Sequence, residues 1–334
     1  MTDLYTHYMG LNLDHPIVAS ASPLTGSIDS LLALEAAGAA AVVLPSLFEE
    51  EIEHHAWAFD HLSVAGADFN VEASGGYLPD IGGDESGVED HLDLVTRAKD
   101  ELRIPVIASL NGTTDGGWTA YAKAFQDRGA DALELNIYLV AADPDATGRE
   151  VEDRYLRLVD GVRAAVDLPL AVKIGPHFSS PANMARRLSE AGADALVVFN
   201  RFYQPDIDLR TLDVASDLEL STSSEMRLTL RWIAIMAGRV DADLAATTGV
   251  HTADDVVKLL LAGAQVTMMT SALLRHGPTH LTAVLDEVQR WFTERDYDSL
   301  QQARGSVSQA SVPDPVAFER ANYMKTLTSY APPS

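Results

Sequence analysis

Four stretches of the chain repeat one arrangement of polar and apolar positions: AAGAAAVVL (36–44), RGADALELN (128–136), AGADALVVFN (191–200) and AGAQVTMMTS (262–271). In each, a helical period closes on a glycine and gives way to five or six apolar positions, too few for another helix and enough for a buried strand. Gly38, Gly129, Gly192 and Gly263 stand where a helix end takes a left-handed residue. A second device marks other strand starts. In HPIVASA, IPVIASL and LPLAVKI, Pro16, Pro105 and Pro169 fall at or just before the first strand residue, where a missing N–H leaves the ladder intact.

Together these signals predict strands near 17–21, 40–44, 105–110, 132–137, 169–174, 194–199, 242–247 and 265–270. Amphipathic helices are predicted over 28–37, 88–102, 116–128, 150–166, 181–191, 223–237 and 253–262. Alternation of this kind calls for parallel strands covered by helices, and eight equal units call for closure into a single α/β (β/α)8 TIM barrel. An open doubly wound sheet is the weaker fit, because no GxGxxG follows the first strand. The barrel is assigned to 1–310 and a tail to 311–334, in which 314–328 can form a short docking helix carrying Val316, Phe318, Tyr323, Met324 and Leu327. Long connections at 45–87, 138–149 and 200–222 follow strands 2, 4 and 6, on the face where barrel enzymes build their sites. The glycine-rich segment 74–87, which opens with Ser74, reads either as a solvent loop or as one that closes over substrate.

Composition narrows the function classes. With 24 Lys+Arg against 49 Asp+Glu in 334 residues, a formal net charge of −25 opposes binding to nucleic acid or an anionic membrane surface. No apolar run is long enough for a membrane span and the first ten residues lack a signal-peptide pattern, so a cytoplasmic protein is expected. The chain has no cysteine, so it offers no thiolate base and no iron–sulfur ligand.

The candidate chemistry lies at the strand ends. In LELNI, period two puts Glu134 and Asn136 on the lumen side, and Lys173 of AVKI projects the same way and can pair with Glu134. Ser20, Asn111 and Asn200 add neutral hydrogen-bonding groups to the same rim. Thr248, Gly249, Thr270 and Ser271, at the ends of strands seven and eight, supply hydroxyls and N–H groups together, as barrel phosphate sites do. A phosphate-tailed ligand with a ring near the lysine fits this set, and flavin mononucleotide (FMN) meets that description. A Schiff-base sugar-phosphate aldolase would also use Lys173, but it needs the neutral amine.

The order of MGL, HPIVASAS, SLNG, ELN, AVKI, FN, TTGV and AGA…MTSAL resembles the dihydroorotate dehydrogenase family of flavin barrels, from about residue 4 to 310. The resemblance implies an FMN-dependent oxidoreductase acting on a CH–CH bond in pyrimidine biosynthesis or on a related substrate. It implies FMN contacts at Ala19, Ser20, Asn111, Asn136, Lys173, Gly249, Thr270 and Ser271. It also implies pyrimidine contacts at Asn136 and Asn200, to which Ser74 is added as a substrate contact. The family's Cys or Ser base falls on Leu139, leaving Tyr138 and Asp143 as the nearest titratable groups. The family's second lysine falls on Pro45 and a further Asn on Ala141. A homodimer, with a separate redox partner as electron acceptor, is the expected assembly. A flavin-binding subunit that has lost its chemistry is the non-catalytic alternative.

No metal is expected. Glu50 with His54 and Glu51 with His55 share helical spacing, but they read as a solvated acidic face.

Overall fold

Eight parallel strands close into a barrel in the computed structural model, which describes residues 2–52, 87–114, 116, 119–215, 218–319, 323 and 327–329. An antiparallel hairpin of β1 (Thr6–Tyr8) and β2 (Leu11–Leu13) precedes them. The barrel strands are β3 (Ile17–Ala19), β4 (Val42–Phe48), β5 (Val106–Asn111), β6 (Ala132–Asn136), β7 (Leu170–Ile174), β8 (Ala195–Val198), β11 (Asp243–Ala246) and β12 (Val266–Met269). Between β8 and β11 a second hairpin, β9 (Asp206–Asp208) with β10 (Asp213–Ala215), stands outside the barrel sheet.

All eight predicted strands are present. The largest difference is β4, which runs on to Phe48 through Pro45; its register with β5 shifts between Val43 and Ser46, where proline has no N–H to give the ladder. The four helix-end glycines are left-handed, with φ of 90° at Gly38, 87° at Gly129, 104° at Gly192 and 124° at Gly263. Helices Ile28–Ala36, Gly87–Glu101, Thr119–Asp127, Gly148–Ala165, Pro181–Glu190, Met226–Met236 and Ala253–Ala262 follow the predicted segments and cover the outside. Capping boxes at Thr147 with Glu150 and at Thr252 with Asp255 start two of them.

Two apolar layers divide the strand residues by parity. Ile17, Ala19, Leu133, Leu135, Val172, Ile174, Leu196 and Leu244 face the helices, as period two requires. The lumen takes Val18, Val43, Ile107, Ala132, Ala171, Ala195, Val197 and Ala245. Four of these eight are alanine, which leaves room for the β1–β2 hairpin to plug the lower end with Tyr8 and Met9. Met9 N–H donates to Asp243 at 2.8 Å and fixes the plug.

At the other end of the chain Pro315–Phe318 forms a 3-10 turn and Phe318 packs on the core, while Val316, Tyr323 and Leu327 are exposed; Met324 lies outside the described residues. The β9–β10 hairpin is also rich in exposed aliphatics: Ile207, Leu209, Leu212 and Val214. No helix among the described residues is long and apolar enough to cross a membrane.

Candidate active site

Strand register sets Asn111, Asn136 and Lys173 side by side on β5, β6 and β7, at the upper end of the lumen. One layer below, Ser109 and Glu134 are neighbours, and Ser109 bonds Ser46 at 2.7 Å. Lys173 Nζ lies 3.4 Å from Glu134 Oε1, and Asn200 Nδ2 donates to Asn136 Oδ1 at 2.6 Å. The ammonium has that one partner among the described residues, so donor capacity remains above it. The inward Glu134, Asn136 and Lys173 expected from period two are therefore brought together with Asn200.

From Lys173 a cleft of about 270 Å³ runs across the mouth past Ser20, Asn200, Ser221, Thr247 and Thr270 to Gly249, Val250 and Ser271. The hydroxyls of Ser20, Thr247 and Thr270 have no partner among the described residues. Nor do the N–H groups of Thr248, Gly249 and Val250. Thr248 and Gly249 have φ of 72° and 78°, a left-handed turn that leaves successive N–H groups without a partner in the cleft lining, as an anion nest requires. Thr248 is held there by its hydroxyl, which donates to the Phe199 carbonyl at 3.0 Å. A side chain at 249 would put its Cβ 2.5 Å from the Met226 nitrogen, so only glycine fits. A row of unpartnered donors ending in an anion nest is the donor set an acceptor-rich ring with a phosphate tail requires.

Other expected residues sit differently. Ala19 buries its methyl against the helices, so the mouth meets Ser20 rather than the Ala19 side chain. Tyr138 continues the inward register of β6, packs on Phe202 with ring centroids 4.4 Å apart, and accepts from Tyr203 N–H at 2.7 Å. Asp143 is exposed and its carboxylate accepts from Asp145 N–H in a turn, away from the cleft lining. Leu139 packs against the core. Behind it Tyr155 is buried, and burial pushes its phenol up to about 12, opposed by a hydrogen bond from the Leu139 backbone. Ser74, His54 and His55 lie outside the described residues; among the described residues no group of three His, Cys, Asp or Glu could hold a metal.

Two residues behind the mouth, His251 and Asp255, were not singled out by the sequence. His251 and Asp255 join the phosphate corner through contacts across 30 or more positions, His251 Nε2 with Ser221 Oγ at 3.3 Å and Asp255 Oδ2 with Ser223 Oγ at 2.7 Å, which no local pattern announces. Burial, then the Arg275 guanidinium, lower the His251 pKa.

The sequence matches the model of a family described as dihydroorotate dehydrogenase over residues 69–292. The chain belongs to the dihydroorotate dehydrogenase family. Within it the chain is 24% identical over 317 residues to the catalytic subunit of dihydroorotate dehydrogenase B (NAD(+)) of Thermoplasma acidophilum, covering 91% of this chain and 99% of that one. It is 26% identical over 245 residues to a putative dihydroorotate dehydrogenase A (fumarate) of Aeropyrum pernix, covering 71% and 78%. It is also 22% identical over 333 residues to the NAD-dependent dihydropyrimidine dehydrogenase subunit PreA of Escherichia coli K12, covering 93% and 78%. As a member of the dihydroorotate dehydrogenase family, the chain is an oxidoreductase of the flavin-dependent dehydrogenase type.

Proposed function

We propose that the protein uses FMN to oxidise or reduce a CH–CH bond of a small, flat, pyrimidine-like substrate that is not dihydroorotate. The observation that carries this reading is the line of unpartnered donors from Lys173 to the Thr248–Val250 N–H groups. Bound FMN would supply the two-electron acceptor or donor. Lys173 places a positive charge where negative charge develops, and Glu134 holds it in place from below. Asn136, its oxygen taken by Asn200, keeps its own NH2 to donate, and Asn111 stands beside it. Thr248, Gly249, Val250, Thr270 and Ser271 form the phosphate end.

The substrate side supports a departure from dihydroorotate. Leu139 cannot take a proton, and Pro45 and Ala141 offer neither the cation nor the amide of the family pattern. Tyr138 is the residue of this reading that handles a proton, oriented by Tyr203 N–H, and Asp143 takes no part. Phe202, seated over Gly175 between Tyr138 and His177, makes an aromatic wall suited to a planar substrate. Asn200 and, in the glycine-rich loop, Ser74 complete the substrate contacts.

The protein works in the cytoplasm and passes electrons to a separate acceptor, a reading supported by the absence of cysteine for a cluster of its own. The exposed aliphatics of the β9–β10 hairpin, with Arg210 among Asp206, Asp208 and Asp213, support a homodimer about a two-fold axis, which light scattering at micromolar concentration reports. Against an aldolase stands the Glu134 carboxylate, which pairs with the ammonium rather than the amine of Lys173.

The test is an anaerobic screen of dihydropyrimidines and unsaturated acids against the flavin-loaded protein, read by flavin bleaching or reoxidation. Turnover of one such compound with none of dihydroorotate is expected. Family-like rates on dihydroorotate would overturn the substrate reading, and no response to any compound would favour a non-catalytic subunit.

A further inference from the structure

At the phosphate corner a chain of hydrogen bonds runs back into the protein. Ser271 Oγ accepts from Ser221 N–H at 3.2 Å and from the Ser221 hydroxyl at 2.9 Å. A hydroxyl has two acceptor sites and one proton, so Ser271 is filled as an acceptor and its proton is left to donate into the cleft it lines. Ser221 Oγ, having given its proton to Ser271, can only accept from its other neighbour, His251 Nε2 at 3.3 Å. Donation is thus directed one way, from His251 through Ser221 to Ser271 and out into the cleft.

His251 is built to hold that direction. Its backbone N–H donates to Asp255 Oδ2 at 3.1 Å and its backbone carbonyl meets His280 Nε2 at 2.8 Å, two contacts that fix the main chain that carries the ring. The same Asp255 oxygen takes the Thr252 N–H at 3.0 Å and the Ser223 hydroxyl at 2.7 Å. Arg275 donates to the Leu220 carbonyl at 3.0 Å, next to Ser221. Burial and then Arg275 lower the His251 pKa, opposed by the Asp255 charge and the Ser221 backbone, which favours the neutral ring with a single N–H.

We infer that His251 is a positioning residue for a phosphate monoester: through Ser221 it aims the Ser271 proton at a phosphate oxygen beside the Thr248–Val250 N–H groups. His251 does not touch the phosphate itself. The consequence is selectivity for the phosphorylated over the unphosphorylated form of one flavin. This rests on the flavin reading above.

The experiment measures FMN and riboflavin binding to the full-length protein freed of flavin, by fluorescence quenching, for the wild type, His251→Phe, His251→Gln and Ser221→Ala. His251→Phe and Ser221→Ala are expected to weaken FMN about tenfold, the scale of one hydrogen bond to a charged group, while riboflavin changes by less than about twofold. His251→Gln, which returns an N–H to the same side, recovers most of the loss. Equal weakening of both flavins, or no weakening of FMN, would overturn the inference. Should His251→Phe fail to fold, Ser221→Ala carries the same comparison. A wild type that binds neither flavin defeats the flavin reading itself, an outcome distinct from a wild type that binds FMN and variants that bind it equally well.

Discussion

Lys173 Nζ lies 3.4 Å from Glu134 Oε1 inside the barrel, with 11% and 1% of the two side chains exposed. The second oxygen of that carboxylate has no partner among the described residues, and the nearby Tyr8 hydroxyl at the plug has none either. Burial, then the Glu134 charge, raise the Tyr8 pKa well above its ordinary value. The cation is thus the group that makes the buried carboxylate tolerable. Lys173→Met leaves Glu134 unpaired and is expected to cost about 3–5 kcal/mol of stability, measured as a lower urea midpoint. Adding Glu134→Leu should restore most of it; an unchanged midpoint in Lys173→Met would show that the pair carries no such coupling.

Gly249 has a different kind of constraint. Its φ is 78°, and an added Cβ would sit 2.5 Å from the Met226 nitrogen and 2.8 Å from the Thr222 oxygen, both main-chain atoms that cannot swing aside. Gly249→Ala is expected to destabilise the fold by roughly 2 kcal/mol or more and to abolish FMN retention on gel filtration. Retention of FMN by a folded Gly249→Ala protein would move the phosphate elsewhere.

Acid should weaken the fold through His15. Its Nε2 faces the Gly38 carbonyl at 2.7 Å while Nδ1 accepts from Ile17 N–H at 3.2 Å, so the neutral ring joins the start of β3 to the glycine turn after helix Ile28–Ala36. Burial lowers its pKa, against the Gly38 hydrogen bond and the Asp14 charge that raise it. The unfolded chain then binds the extra proton more readily. This stability is present above about pH 6.5 and is lost as the pH falls through the folded value. Urea midpoints should decline from pH 7.5 to 5, and the decline should be shallower in His15→Gln. An identical slope in both proteins would remove His15 from the explanation.

How far the sequence reveals this molecule differs from residue to residue. Strand positions and the inward Glu134, Asn136 and Lys173 are legible because period two and the glycine and proline signals are local. The β1–β2 plug is not, since THY and LNL are three residues each and acquire meaning only against the alanines of four distant strands. The β9–β10 hairpin escapes for a similar reason: an exposed DID and DVA carry no core pattern. Asp143 lies near Tyr138 in the chain, yet the turn that follows β6 carries it into solvent, because proximity along a loop does not fix direction. His251 meets Ser221 across 30 positions and Ser221 meets Ser271 across 50, a link only the closed barrel makes.

The two titratable candidates near Leu139 part company under mutation. Tyr138→Phe is expected to lower kcat about 100-fold or more on the substrate found by screening, the scale of a lost proton-transfer group, with FMN binding intact. Asp143→Asn, altering an exposed turn, should leave kcat within about twofold, as surface substitutions do. Equal activity of Tyr138→Phe and the wild type would assign the proton to another group.

The reading of the mouth as a flavin site stands on one inexpensive measurement: the absorbance spectrum of the freshly purified protein, followed by heat release and identification of the chromophore. A yellow protein that releases FMN at about one per chain is the expected result, from a cleft whose donors run from Lys173 to Val250. A colourless protein that also fails to take up added FMN would contradict it, and would leave Lys173 and the anion nest to a different phosphate-bearing ligand.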